Sequence, residues 1–253
     1  MSPSDDAARW LRRPRGAESA AVRLFCFHHA GGAAWLYRDW PRHMPAVIEP
    51  IAVQLPGRGE RFREPPVQRM APLVDRLTGV VGPLLDRPFA FFGLSMGARI
   101  AWALAHGLRD RGMPTPIALY TASAAAPAEP DRRTDWQQDL VGYLRSMGGT
   151  PPEVFAEPQL LEAVLPTLRA DLTLLDTFQF RPRTPLDMPI LAFAGRDDPE
   201  GSPLRMRGWR AETTGRFELV VRPGGHFFDA AEESRLIRTV AEDLCALARL
   251  EPV

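Results

Sequence analysis

Residues 88–110 read PFAFFGLSMGARIAWALAHGLRD. The run Phe89–Phe92 has the length and apolar composition of a buried strand, and residues 98–111 place apolar side chains at three- and four-residue spacing, the period of a helix. Only Gly93-Leu94-Ser95-Met96-Gly97 separates them, so the chain must pass from strand to helix through one sharp turn. A serine there is presented at the C-terminal edge of the sheet, beside the positive end of the helix dipole. The flanking glycines leave room for neighbouring backbone. A five-residue G-x-S-x-G pattern recurs by chance. The strand before it and the helix after it make Ser95 the candidate nucleophile.

The same rhythm extends in both directions. Residues 22–27, 48–55, 117–121, 190–194 and 217–221 also have strand character, while 71–85 and 232–250 carry helical periodicity. Strands that are apolar on both faces and separated by helices describe a parallel α/β sheet covered by helices, in one domain over residues 21–253. Residues 1–20 are polar and Arg-rich and read as an arm. Residues 124–186 break the rhythm: they open with AAAPAEPDRR, hold helical pieces at 136–146 and 159–178, and show no convincing strand. Such an insertion reads as a lid over a site, or as a further packing layer.

Composition removes several classes of function. The 253 residues carry 31 basic and 31 acidic side chains, so there is no global attraction to nucleic acid or anionic membrane. Every basic residue is Arg; the chain has no Lys and no Asn, as a GC-rich coding sequence would leave it. Cys26 and Cys245 lie in apolar or helical patterns and read as buried thiols, not a disulfide framework. The N-terminus lacks the apolar core of a signal peptide, and no run of 18 apolar residues is present, so a cytoplasmic protein is expected.

A serine nucleophile needs a base and an orienting acid, in the chain order Ser, Asp, His. His226 lies in Pro223-Gly224-Gly225-His226-Phe227-Phe228, between the last strand and the last helix, where a glycine-rich loop presents it as general base. His43 and His106 read as structural. After strand 190–194 comes Gly195-Arg196-Asp197-Asp198-Pro199; either aspartate suits the role, and Pro199 favours Asp198, with Asp171 a distant alternative. The developing oxyanion needs N–H donors. Met96, the residue after the nucleophile, supplies one, and Ala30 in the His28-His29-Ala30-Gly31-Gly32 loop the other. His29 reads as a hydrogen-bonding loop residue before a metal ligand or second base. The stretch Arg58-Gly59-Glu60-Arg61-Phe62-Arg63 has two readings: contacts to a phosphate or an acidic partner, or salt bridges to carboxylates such as Glu60 and Glu64.

Taken in order, FHHAGG, QLPGRGERFREPP (54–66), GLSMGA, LRAD (168–171), GRDDP and PGGHFF resemble the stand-alone type II thioesterases of polyketide and nonribosomal peptide synthesis, over about residues 10–245. The resemblance implies an α/β-hydrolase fold with a helical lid, Ser95, Asp198 and His226 as triad, and the Ala30 and Met96 amides as oxyanion hole. It implies hydrolysis of acyl thioesters from the phosphopantetheine arm of an acyl or peptidyl carrier protein, with no metal or organic cofactor and no nucleic-acid or membrane partner. His29, Leu94 and Phe227 are the candidate pocket residues, with packing beneath the elbow as the other reading of Leu94. Leu94 and His28 depart from the pattern, which usually has His and Pro at those positions. Other readings are a product-releasing thioesterase or small-ester hydrolase, and a non-catalytic binding protein on the same scaffold. The lack of an attached carrier domain speaks against the first, and the complete Ser-Asp-His set against the last.

Overall fold

The computed structural model describes residues 3–17, 19–129 and 136–250. Among these, seven strands form one sheet: β1 (Leu11–Arg12), β2 (Val22–Phe27), β3 (Ile48–Val53), β4 (Phe89–Leu94), β5 (Leu119–Ala122), β6 (Ile190–Gly195) and β7 (Phe217–Arg222). Their spatial order is β1-β3-β2-β4-β5-β6-β7, parallel throughout except for the antiparallel β1–β3 pair. The helices are α1 (Pro3–Trp10), α2 (Met70–Val81), α3 (Met96–Asp110), α4 (Leu140–Met147), α5 (Pro152–Ala156), α6 (Pro158–Asp176), α7 (Pro203–Met206) and α8 (Ala230–Leu247).

The two-residue period of the strands sorts their side chains into two apolar layers. Phe25, Phe27, Phe89 and Phe91 face α2 and α3, packing edge to face with ring centroids 5.4–6.0 Å apart. Each such buried ring contributes about 1.5–3 kcal/mol relative to exposure. Leu24, Cys26, Phe92, Tyr120 and Phe193 point the other way, onto Tyr37, Trp40 and the apolar stripe Leu236, Val240 and Leu244 of α8.

Register carries the chemistry to one edge. Phe27 pairs with Gly93, Leu94 with Ala122, Ala122 with Phe193, and Gly195 with Arg222. The strands therefore end on nearly the same level, and the loops that follow open side by side. The chain reverses its direction across the sheet at β2, between β3 and β4. The crevice at the carboxyl ends of β2 and β4 is the place where such sheets bind ligands.

The expected arm is corrected in part. Trp10 and Leu11 are buried, β1 covers the edge of β3, and the Arg61 guanidinium lies 4.0 Å over the Trp10 ring. This docking covers a sheet edge that would otherwise be open. In the 124–186 interval the described residues hold α4, α5 and α6 and no strand, α5 being unanticipated; residues 130–135 of its opening stretch lie outside the described residues.

Helix α6 is two segments of different character. Its first half exposes Leu160 and Val164, whereas Thr167, Leu168, Ala170, Asp171 and Leu172 are buried. Pro166 sits at the division and lacks the N–H that would bond the preceding turn. Hydrogen exchange should therefore divide the segment: amides of 167–175 protected to within about tenfold of the central strands, and those of α4, α5 and 158–165 exchanging at least a hundredfold faster. Uniform protection across both halves of α6 would contradict this division.

Candidate active site

Ser95 occupies a backbone conformation that an L-residue rarely adopts, φ 54° and ψ −116°. Two bonds hold it there: its N–H donates to the Ala122 carbonyl at 2.8 Å, and its carbonyl accepts from Ala98 N–H at 3.0 Å. The turn is closed by contact on both sides. A Cβ on Gly93 would collide with the Ala98 backbone, and one on Gly97 with the carbonyl of Phe27 at the end of β2. Glycine is thus required by close approach at both positions.

The glycine-rich loop after β7 brings His226 to this turn. Its Nε2 lies 3.0 Å from Ser95 Oγ, and its Nδ1 lies 3.1 and 3.0 Å from the two carboxylate oxygens of Asp198. Asp198 is 2% exposed and His226 5%, so the chain of three groups is shielded from water except at the serine end. Asp198 Oδ1 also accepts from Glu200 N–H at 2.9 Å, and Gly201 packs against the carboxylate too closely for a side chain. Asp197 is exposed, and its N–H is bonded to the Gly224 carbonyl. Asp171 takes no part in this chain: it is paired with Arg58. The geometry lets Ser95 Oγ lose a proton to Nε2 while Asp198 holds the other ring nitrogen.

Met96 is the first residue of α3, so its N–H has no acceptor within the helix. Ala30 N–H makes no hydrogen bond to another described residue. Ala30, Ser95 and Met96 line one cavity of about 40 Å³, with Ser123, Leu172 and Tyr143. A second of about 40 Å³ is lined by Ser95, His226, His29, Phe227, Leu144, Met147 and the turn at Gly148 and Gly149. Both are the size of one or two waters, and Tyr143 of α4 borders both. A larger cleft of about 710 Å³ between α2, the end of α3 and residues 177–183 reaches none of Ser95, Asp198 and His226.

His29 and Phe227 line the second cavity, their rings 4.8 Å apart. The expectation for Leu94 is corrected: it borders neither cavity and packs on the opposite apolar layer. Its partners by strand alternation are Ala90 and Phe92, which was the signal that would have placed it. His29 Nδ1 is 2.8 Å from the Ala30 carbonyl, which fits the loop-residue reading. Arg58 and Arg61 of the Arg-rich stretch are committed to carboxylates. Arg58 pairs with Asp171, Arg61 with Glu64, and Glu60 with Arg12. Sequence reasoning missed the wall supplied by Tyr143, Leu144 and Met147 of α4 and Leu168 and Leu172 of α6; their three- and four-residue spacings were the available signal.

Two buried imidazoles outside the Ser95 chain, those of His28 and His106, are held neutral. Burial lowers His28 well below its ordinary value; His106 falls to about 4 through burial, then the nearby Arg183 and Arg109 guanidinium groups. A folded-state pKa below the unfolded one means that the unfolded chain takes the proton first. The stability contributed is complete above pH about 6.5 and is lost as the pH falls toward 4.

The thioesterase domain family matches residues 22–244 of the chain. The protein named linear gramicidin dehydrogenase LgrE, from Brevibacillus parabrevis, is 36% identical over 96% of this chain and 94% of its own. Thioesterase PikA5 from Streptomyces venezuelae is 34% identical over 88% and 81%. The solved structure of the RedJ thioesterase, from the prodiginine pathway of Streptomyces coelicolor, superposes with a TM-score of 0.84 at 34% identity, covering 90% of this chain and 87% of that one.

Two expectations follow from the packing. Gly97→Ala should cost about 3 kcal/mol or more, because backbone must shift, whereas Gly79→Ala, in open space on α2, should stabilise by about 0.5–1 kcal/mol; denaturant melts of both variants check this, and equal midpoints would contradict it. Melting temperature should fall between pH 6.5 and 4, and His106→Gln should flatten that slope. An unaltered slope would remove His106 as a contributor.

Proposed function

The chain belongs to the thioesterase family, and from that premise we propose that it hydrolyses acyl thioesters on the phosphopantetheine arm of acyl or peptidyl carrier proteins, clearing stalled or aberrant acyl groups in polyketide or nonribosomal peptide synthesis. The observation that carries this reading is the continuous Asp198–His226–Ser95 chain, which ends where the two small cavities meet.

In this reading Ser95 Oγ attacks the thioester carbonyl while His226 Nε2 takes its proton. Asp198 keeps the proton of Nδ1 in place and stabilises the imidazolium. The carbonyl oxygen, now anionic, is held by the N–H groups of Met96 and Ala30 at the positive end of α3. Collapse breaks the C–S bond and the pantetheine sulfur leaves, taking the proton from His226. Thiolates leave readily, so the demanding step is the second one. There His226 removes a proton from water, the hydroxide adds to the acyl–Ser95 carbonyl, and collapse returns the free acid and the serine hydroxyl.

The two small cavities beside Ser95 set a further requirement. Neither has room for an acyl chain with its pantetheine arm, so α4 and the 148–150 turn, which line them, act as the lid. The second half of α6 stays fixed to the core. No described helix is long and apolar enough to cross a membrane, in keeping with a substrate delivered by a soluble carrier.

Ser95→Ala and His226→Ala should each lower turnover of an acyl-carrier substrate by about 10⁴-fold or more, and the double variant little further, since the groups act as a unit. Asp198→Asn should lose about 10²–10⁴-fold, and Asp197→Asn less than threefold. Release rates from a panel of acyl-carrier proteins, measured beside the same acyl groups on small thiols, test both the roles and the substrate class. Turnover surviving in Ser95→Ala would overturn the roles. Faster release from the small thiols would overturn the carrier assignment.

A further inference from the structure

Two consecutive peptide units in the 28–32 loop are pinned by side chains. His28 Nδ1 lies 2.8 Å from the His29 carbonyl oxygen, and that carbonyl belongs to the same rigid plane as the Ala30 N–H. His29 Nδ1 lies 2.8 Å from the Ala30 carbonyl, whose plane continues into the Gly31 N–H. A carbonyl only accepts, so both imidazoles donate from Nδ1. Gly31 N–H then donates at 2.8 Å to Asp171 Oδ2 on α6, with Gly31 at φ 75°, where a side chain would be strained. The second plane is therefore bonded at both ends.

Asp171 is itself gripped. Arg58 Nη1 and Nη2 reach its two oxygens at 2.6 and 2.8 Å, with Asp171 1% and Arg58 6% exposed. Arg58 Nε donates to the Pro56 carbonyl at 3.1 Å, and its Nη1 lies 3.5 Å from the Gly32 carbonyl. One turn earlier on α6, Leu168 lies over Gly31, and Thr167 Oγ1 donates to the Gly57 carbonyl at 2.6 Å. None of these hydrogen bonds involves Ser95 or His226. All of it bears on the direction of one amide.

We propose that Asp171, oriented by Arg58, is a positioning residue that fixes the Ala30–Gly31 turn so that the Ala30 N–H points at the developing oxyanion, with His28 and His29 locking the two peptide planes from the other side. The inference rests on the proposed hydrolytic role of Ser95. A preorganised donor is worth most where charge develops in the transition state, and the frame spends a buried ion pair and two histidines on that one direction. It also ties the anchored half of α6 to the oxyanion loop, so the loop keeps its shape when the rest of the lid moves.

Removing Asp171 alone leaves a buried unpaired guanidinium and threatens folding. The test therefore compares two double variants, each without the ion pair: Arg58→Met with Asp171→Asn, which retains an oxygen for Gly31 N–H, and Arg58→Met with Asp171→Leu, which does not. Active sites are counted by exhaustive fluorophosphonate labelling, and kcat per labelled site and KM are measured on one acyl-carrier substrate. The leucine variant should show kcat about 10–100-fold below the asparagine variant, with KM within twofold, and bind a trifluoromethyl ketone, which forms a tetrahedral adduct, more weakly by the same factor. Equal kcat per site in the two variants would overturn the proposal, whatever their melting temperatures. A wild type that is labelled but releases no acid would instead overturn the hydrolytic reading on which it rests.

Discussion

The first turn of α3 lies so close to the end of β2 that Gly97 has no room for a side chain beside the Phe27 carbonyl. That approach sets the distance between the nucleophile and the loop that follows β2. It is possible because Phe27 and Gly93 are paired neighbours in a parallel sheet, so both strands end on one level. A non-glycine residue at positive φ costs about 1–3 kcal/mol. Ser95 is held there by hydrogen bonds to Ala122 and Ala98 and by the packing of Gly93 and Gly97. The strain is thus borne by backbone packed between β2 and α3. In return Ser95 Oγ, the Met96 amide and the open end of the helix dipole face the same small space.

The remaining parts of the site are brought to that turn from different distances along the chain. Asp198 and His226 arrive on the loops after β6 and β7, which Gly195 and Arg222 place at the same edge by their pairing. The 28–32 loop arrives after β2, and its Gly31 N–H donates to a residue of the insertion, Asp171, 140 positions away. The insertion is divided. From Thr167 onward α6 is packed into the buried frame, while Tyr143, Leu144 and Met147 of α4 border the small cavities beside Ser95. Pro166 marks the border between a segment held by buried polar contacts and one held by few.

The strands and the elbow were legible because they depend on local rules. Apolar runs of strand length, helical spacing and two glycines around a serine each report a constraint that acts within a few residues. His226 and Asp198 were legible for the same reason, as glycine- or proline-marked loops after strands. The direction of Leu94 was also available, since Ala90 and Phe92 share its face, but the reading followed its nearness to Ser95 in sequence instead of the alternation. The partners of Arg58 were not available. Two carboxylates, Glu60 and Glu64, lie beside that stretch in sequence, and only the docking of α6 brings Asp171 to Arg58. Trp10 and Leu11 were overlooked because two apolar residues inside a polar segment carry no periodicity. Their burial depends on an open edge of β3 that local patterns do not reveal.

The central claim is that Ser95 carries the acyl group between carrier and water, and mass spectrometry of the acylated protein tests it most directly. An acyl-carrier substrate is mixed with the protein and quenched in acid within the first turnover, and the digest is mapped for the acyl mass. The account predicts that mass on the peptide containing Ser95, its decay in step with the appearance of free acid, and its absence from Ser95→Ala. Acid released with no acyl mass on Ser95 at any time, or with the mass on another residue, would contradict it.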